Sequence, residues 1–116
     1  MDDDEKQATY AEFARCVNLA PAELEDWLAT EESNSVGDTH TRGGSGGEST
    51  GHKSGRRIVE IKRTKKAALS AEDYRHMRKV VGYVHRHLAQ RPVNENPHGK
   101  WRYSLMNWGH DPLKDE

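Results

Sequence analysis

The 116-residue chain is 33% hydrophobic with a mean hydropathy of -1.07, which allows one small domain with a modest core and no membrane-spanning apolar run. Its single cysteine, Cys16, excludes an internal disulfide, and Met1-Asp2-Asp3-Asp4-Glu5-Lys6 is the reverse of a basic secretory signal. The net charge of -1 conceals three blocks: Met1–His52 carries -9, Lys53–Arg91 +9 and Pro92–Glu116 -1. Such asymmetry points to a polyanionic partner such as nucleic acid, or to an acidic half folded against a basic half.

In chain order, residues 1–6 are expected to be a disordered acidic tail. Tyr10, Phe13, Ala14 and Val17 recur at steps of three and four, so the spacing predicts a helix over 7–18. Cys16 lies in that pattern and reads as a small buried hydrophobe. Leu19-Ala20 makes a corner, Pro21 suits a first helical turn, and a second helix over 21–30 buries Leu24, Trp27 and Leu28. Its Glu23, Glu25 and Asp26 would repel a phosphate backbone, which makes it a poor recognition helix.

Residues 31–54 turn to Gly, Ser, Thr and His, and read as a flexible Gly/Ser-rich loop. Gly46, Gly51, Lys53 and Ser54 imitate a phosphate-binding loop, but His52 breaks the spacing and no apolar strand precedes it. Ser54 is expected to cap a third helix over 55–67, whose first turn with Arg56 and Arg57 would accept one phosphate. Ile58, Val59 and Ile61 form its apolar side, and Lys62 within that arc must snorkel, or the arc is only partly covered.

Ser70-Ala71-Glu72-Asp73 is a start signal for a fourth helix over 71–91. At 100° per residue, Tyr74, Met77, Val81, Val84 and Leu88 form a seam with Val80 at its edge. Arg75, Arg78, Lys79 and Arg86 form a basic stripe with Gly82 in its middle, and His76, Tyr83 and His87 an aromatic one. Gly82 costs about 1 kcal/mol of helix propensity relative to Ala, so close approach by a neighbouring helix or by a phosphate is expected there. Beyond a turn-rich link, Trp101, Leu105 and Trp108 fit one helical stripe ended by Gly109 and Pro112, although Trp101, Tyr103 and Leu105 also alternate as in a strand. The two tryptophans are core residues or, on a sharper reading, stacking platforms for bases.

Seven histidines raise the question of a metal, but His85 and His87 diverge by about 200° on a helix, and neither a second cysteine nor a carboxylate at helical ligand spacing is read as supporting zinc. His110-Asp111 lacks a nucleophile. No catalytic residue, no cofactor and no metal is therefore expected.

Gly51-His52, Ser54-Gly55-Arg56-Arg57-Ile58-Val59-Glu60-Ile61, the run His76 to Pro92, and Trp101-Arg102-Tyr103-Ser104-Leu105-Met106-Asn107-Trp108-Gly109-His110-Asp111-Pro112 together resemble the domain of unknown function 3140 family. Its members are small proteins often labelled DNA-binding protein, and the resemblance implies that label with no catalytic residues. Lys62 stands where the family pattern suggests an aliphatic residue, and Ala20 where a Thr cap is usual.

The expected architecture is all-α, a small bundle of about four to five helices. One domain over 7–112 divides into a helical hairpin (7–30), the loop (31–54), a basic helix pair (55–91) and an aromatic segment (100–112), followed by a tail at 113–116. The expected function is non-enzymatic binding of the phosphate backbone of double-stranded DNA with low sequence specificity, through Arg56, Arg57, Arg63, Arg75, Arg78, Lys79 and Arg86. The alternative is a protein-interaction module or homodimer, zipped along the Tyr74–Leu88 seam, with its basic face neutralised by its own acids. No membrane association is expected, and the compartment is cytoplasmic, at the nucleoid in a bacterium or in the nucleus of a eukaryote.

Overall fold

The computed structural model describes residues 1–35, 50–92 and 99–114. Among these it holds six α-helices and no strand: α1 (Asp3–Cys16), α2 (Pro21–Leu28), α3 (Glu31–Ser35), α4 (Thr50–Arg63), α5 (Ala71–Ala89) and α6 (Lys100–Asn107), with a 3-10 turn at Lys66–Ala68. The chain is all-α, and the aromatic C-terminal segment is a helix rather than a strand. The centre of the expected flexible loop (36–49), the link at 93–98 and the last two residues of the expected tail lie outside the described residues.

The N-terminal segment corrects the expectation of a disordered tail. Asp2 is extended, and its Oδ1 accepts the Glu5 N–H at 2.8 Å, which makes it the N-cap of α1. Asp3, Asp4 and Glu5 then occupy the first turn, where the positive end of the helix dipole favours them. The loop expected over 31–54 is likewise helical at both described ends. Thr30 Oγ1 accepts the Ser33 N–H at 3.1 Å and starts α3, and α4 begins at Thr50. Ser54 is therefore no cap. It is buried inside α4 and hydrogen-bonded to His76 Nε2 at 3.0 Å. Gly51, Lys53 and Ser54, which imitate a phosphate loop in sequence, all lie within this helix.

The other start signals act as expected. Ser70 Oγ accepts the Asp73 N–H at 3.1 Å while Asp73 Oδ2 accepts the Ser70 N–H at 2.9 Å, a reciprocal cap for α5. At α2 only half of such a box exists: Glu23 Oε1 accepts the Ala20 N–H at 2.9 Å, and Ala20 has nothing to return. Gly109 ends the C-terminal helix region with φ 83°, a left-handed conformation suited to glycine, and His110 N–H returns to the Leu105 carbonyl at 3.0 Å.

Packing is arranged around α5. Tyr74, Met77, Val80 and Val84 are buried, and α1 runs beside them in the same direction, with Lys6 against Tyr74 at one end and Cys16 against His85 at the other. Of the Tyr74–Leu88 seam, Tyr74, Met77 and Val84 are buried within the chain, while Val81 and Leu88 are half-buried. On the other side, Leu24 and Leu28 of α2 meet Ile58, Val59 and Ile61 of α4 in the same core, with Leu105 and Trp108 from the C-terminal segment. Lys62 does not simply reach out to water. Its Nζ donates to the Val17 carbonyl at 3.1 Å, at the C-terminal end of α1, and burial lowers its pKa from the usual lysine value.

The polar centre of the core is Asn107, which is fully buried. Its Oδ1 accepts the Trp27 indole N–H at 2.8 Å and the Ser33 hydroxyl, and its Nδ2 donates to the Ser33 carbonyl at 3.1 Å. Two glycines one turn apart on α4 let this corner approach. A Cβ at Gly55 would stand 2.6 Å from the Asn107 carbonyl oxygen, and one at Gly51 would stand 3.1 Å from the Trp108 indole nitrogen. Replacing Asn107 with Leu keeps the volume but strands the Trp27 and Ser33 groups at about 1–3 kcal/mol each. Asn107→Leu should therefore lower unfolding free energy in urea by roughly 3 kcal/mol or more, a large share of a small domain's stability. An unchanged urea midpoint would show that the network does not hold the corner.

Candidate nucleic-acid interface

The seven expected cations do not form one patch. Three are tied to acids: Arg57 to Asp73 at 2.8 Å, Arg63 to Glu25 at 2.7 Å and Arg78 to Glu5 at 3.4 Å. Arg56 is exposed on α4 and lines a groove with Glu25, Glu60 and Arg63 on the side facing α2. Arg75, Lys79 and Arg86 are exposed along α5 and have no acidic partner among the described residues. Neither reading of the charge asymmetry is complete by itself. Glu5 and Glu25 of the acidic N-terminal half neutralise part of the basic run, and one stripe of it meets no acid among the described residues.

That stripe borders two depressions that share Lys79. A shallow one is lined by Arg57, Glu72, Arg75, His76 and Lys79. The other is a cleft of about 290 Å³ between the start of α4, the middle of α5 and α6, lined by Thr50, Gly51, Lys79, Tyr83, Arg86, Ser104 and Trp108. Two cations, two side-chain hydroxyls and a phenol surround it, a set of donors suited to an oxyanion. Thr50 and Ser104 were not among the expected site residues, because only the packing of α6 beside α4 brings them to Lys79. Gly82 admits no neighbouring helix. Among the described residues a Cβ there would meet only the Arg86 side chain, at 3.1 Å from Nη1, so that guanidinium lies over the glycine.

One wall of the cleft belongs to a continuous stack of rings. His76, Trp108, Tyr83, His87 and Trp101 follow one another at centroid spacings of 6.4, 4.2, 5.1 and 6.0 Å, all within 14° of parallel. Arg91 lies over the outer face of Trp101 at 5.1 Å. Trp101 Nε1 donates to the His87 carbonyl at 2.9 Å, which ties α6 to the end of α5. Trp108 stacks on Tyr83 and His76, and Trp101 on His87 with Arg91 over its ring. Trp108 is buried and Trp101 half-buried against the core, which agrees with the core reading of the two.

The histidines have separate roles. His87 stacks inside the ladder while His85 faces α1, the divergence expected of an H-x-H pair on a helix. His110 Nδ1 bonds the Cys16 carbonyl at 2.7 Å, and Asp111 pairs with Arg102 at 3.0 Å, so these neighbours close the α1–α2 corner and do not orient one another for catalysis. Burial lowers the pKa of both His76 and His87; for His76 the charges of Arg57 and Lys79 lower it further. His87 Nε2 is buried without a hydrogen-bond partner among the described residues.

The family model described as protein of unknown function (DUF3140) matches residues 12–106. The chain belongs to the DUF3140 family. No curated protein and no solved structure matches it. The DUF3140 match takes in all seven expected cations and the whole of α5, and it stops just before Asn107. No helix among the described residues is long and apolar enough to cross a membrane.

Two outcomes follow for this DUF3140 chain. Gly82→Ala removes a helix-propensity defect of about 1 kcal/mol. The one contact it crowds is the movable end of Arg86, so the thermal midpoint should rise; a fall would mean that Arg86 is held rigidly over the backbone. His76 and His87 have lowered pKa values in the folded state, so the unfolded chain binds protons more readily. Their contribution to stability is complete above the ordinary imidazole value of about 6.5 and is lost as pH falls below it toward the folded values. The thermal midpoint should drop between about pH 7 and pH 5. His87→Phe, which keeps a ring in the stack, should flatten that slope; an equal slope would remove His87 as its source.

Proposed function

We propose that the protein binds the phosphate backbone of double-stranded DNA, without catalysis and with low sequence specificity, through the face of α5 that carries Arg75, Lys79 and Arg86. The observation that supports this reading most is the division of the cations: Arg57, Arg63 and Arg78 each meet an acid, and these three, aligned on one exposed face, meet none among the described residues. The cleft beside Lys79 and Arg86 adds the hydroxyls of Thr50 and Ser104 as uncharged phosphate donors. Glu25 of α2 pairs with Arg63 of α4, Glu23 with Lys114, and Glu5 with Arg78, none of them on this stripe. The arginines that flank the stripe, Arg57 and Arg78, are tied to Asp73 and Glu5 and so are not free to read base edges, which fits low specificity.

Three neutralised phosphates give a log–log salt slope of about -2.7, so affinity for random duplex should fall roughly forty-fold between 50 and 200 mM salt. Lys79→Gln and Arg86→Gln should each weaken binding and reduce the slope by about one. Arg63→Gln should leave the slope unchanged. Gel shifts or fluorescence anisotropy across a salt series would measure this, and binding absent at low salt or indifferent to salt would overturn it.

A second reading has an observation of its own. The three ion pairs to Glu5, Glu25 and Asp73 fit a module whose basic helices are partly neutralised within the chain and whose open stripe meets an acidic protein. Failure of duplex binding at low salt would favour it.

A further inference from the structure

Three chemically different donors converge where α1 meets α5. Glu12 and Cys16 lie one turn apart on the same face of α1, and His85 reaches them from α5. Cys16 Sγ stands 3.6 Å from His85 Nε2, and Glu12 Oε2 stands 4.0 Å from the same nitrogen. All three donor atoms fall within 4.8 Å of one another.

This is not the geometry of a thiol nucleophile with its base. In a relay, the carboxylate holds the imidazole nitrogen remote from the nucleophile, which leaves the other nitrogen to take the proton. Here sulfur and carboxylate both approach Nε2. Burial, and then the neighbouring Glu12 charge, push the Cys16 thiol above its usual pKa, so no thiolate is poised to attack. Donor atoms that converge on one point describe coordination instead.

We infer that Glu12, Cys16 and His85 form a binding site for a zinc-class divalent cation. With zinc–sulfur near 2.3 Å and zinc–nitrogen near 2.0–2.1 Å, the sulfur–nitrogen edge of a tetrahedron is about 3.6 Å. The distance between Cys16 Sγ and His85 Nε2 equals that edge. The carboxylate edge is shorter, about 3.4 Å, so Glu12 closes in by roughly half an ångström. Its half-exposed side chain has that freedom. Its other oxygen, Oε1, is held by Arg15 at 3.2 Å, which leaves Oε2 turned to His85, as supporting partners orient metal ligands. A shallow pocket lined by Ala8, Thr9, Arg78 and Val81 opens beside Glu12 and His85, with space for a water as fourth ligand.

The donor set selects the class. One thiolate and one imidazole favour zinc-like ions over magnesium or calcium, and thiolate with carboxylate balances a dication. On binding, the thiol proton leaves to solvent, a sulfur lone pair forms the metal bond, and neutral His85 gives its Nε2 pair; no electron is transferred. Affinity therefore rises with pH. The charged groups around the sulfur are Glu12 and Arg15 from α1 and His85 and Arg78 from α5, with Arg78 already paired to Glu5. The ion would link the end of α1 to α5.

Cys16 is the only thiol in the chain, which makes the test specific. Cobalt(II) titrated into reduced, metal-free full-length protein should give a thiolate-to-cobalt charge-transfer band and the intense visible bands of a four-coordinate ion, saturating at one cobalt per chain and displaced by zinc. Cys16→Ser should abolish the charge-transfer band. His85→Ala, an exposed position whose loss leaves the core intact, should weaken cobalt binding by about tenfold or more, the loss that even a supporting residue of a metal ligand produces. Glu12→Gln should weaken it in the same direction. The inference is overturned by absence of the charge-transfer band, by a band unchanged in both His85→Ala and Glu12→Gln, or by saturation at one cobalt per two chains.

Discussion

The carboxamide of Asn107 has no access to solvent, and four helices depend on it. Trp27 from α2 and Ser33 from α3 bond its side chain, while its own carbonyl rests against Gly55 of α4. An amide buried this way is stabilising only while its partners stay in place, since each lost one leaves a polar group stranded at about 1–3 kcal/mol. Asn107 thereby fixes where Trp108 lies, and Trp108 in turn carries the ring stack along α5. The cleft next to Lys79 and Arg86 exists because this corner sets α6 at a particular distance from α4 and α5. The surface proposed to meet DNA is thus set by a hydrogen-bond network that never touches it.

Electrostatics shapes the surface without holding the fold. Arg63–Glu25 and Arg78–Glu5 are exposed pairs, and such pairs contribute about 0–1 kcal/mol. Their effect is to remove charge from two flanks of a basic segment. Arg102–Asp111 differs, being largely buried, with two parallel bonds at 3.1 and 3.0 Å. Burial alone would raise the Asp111 carboxyl, but the Arg102 bonds and the Leu113 N–H bring it below its usual range. That pair, with Asn18 bonding both the N–H and the carbonyl of Asp111, seals the C-terminal turn onto the α1–α2 corner. Raising salt therefore weakens what the surface attracts well before it weakens the helices.

Local signals made much of this legible in the sequence. The apolar periodicity of α1, α2 and α5, the Ser70 start signal and the Gly109 stop are short-range effects, and each appears where the pattern places it. The Asp2-Asp3-Asp4-Glu5 run was misread because acids at a chain start are equally a tail or a cap, and only the Asp2 side chain on Glu5 N–H separates the two. Gly51 reads as a loop residue and Gly55 as the start of a helix, since their use as a contact surface requires Asn107 opposite them. The convergence of His85 with Glu12 and Cys16 was hidden in the same way. The one-turn spacing of Glu12 and Cys16 is visible in the sequence, but the third donor arrives only with the pairing of α1 and α5.

The circumference of α5 explains which cations were neutralised. At about 100° per residue, Arg75, Lys79, Gly82 and Arg86 share an arc of roughly 60°. On one side of that arc lie His76, Tyr83 and His87, committed to the ring stack. On the other lie Arg78 and His85, which face α1 and meet Glu5 and the Glu12–Cys16 pair. The acidic helix lies against one flank of α5 and the aromatic C-terminal segment against the opposite one, so neither reaches the arc between them. Arg78 is quenched because it sits at the α1 edge, and Lys79, one residue further round, is left open. Arg86 and His85 are sequence neighbours separated by about 100° of rotation, so the proposed phosphate contacts and the proposed cation site lie on different faces of one helix. Occupancy of the one would not block the other, and a cation that tightened α1 onto α5 would also steady the helix that presents the arc.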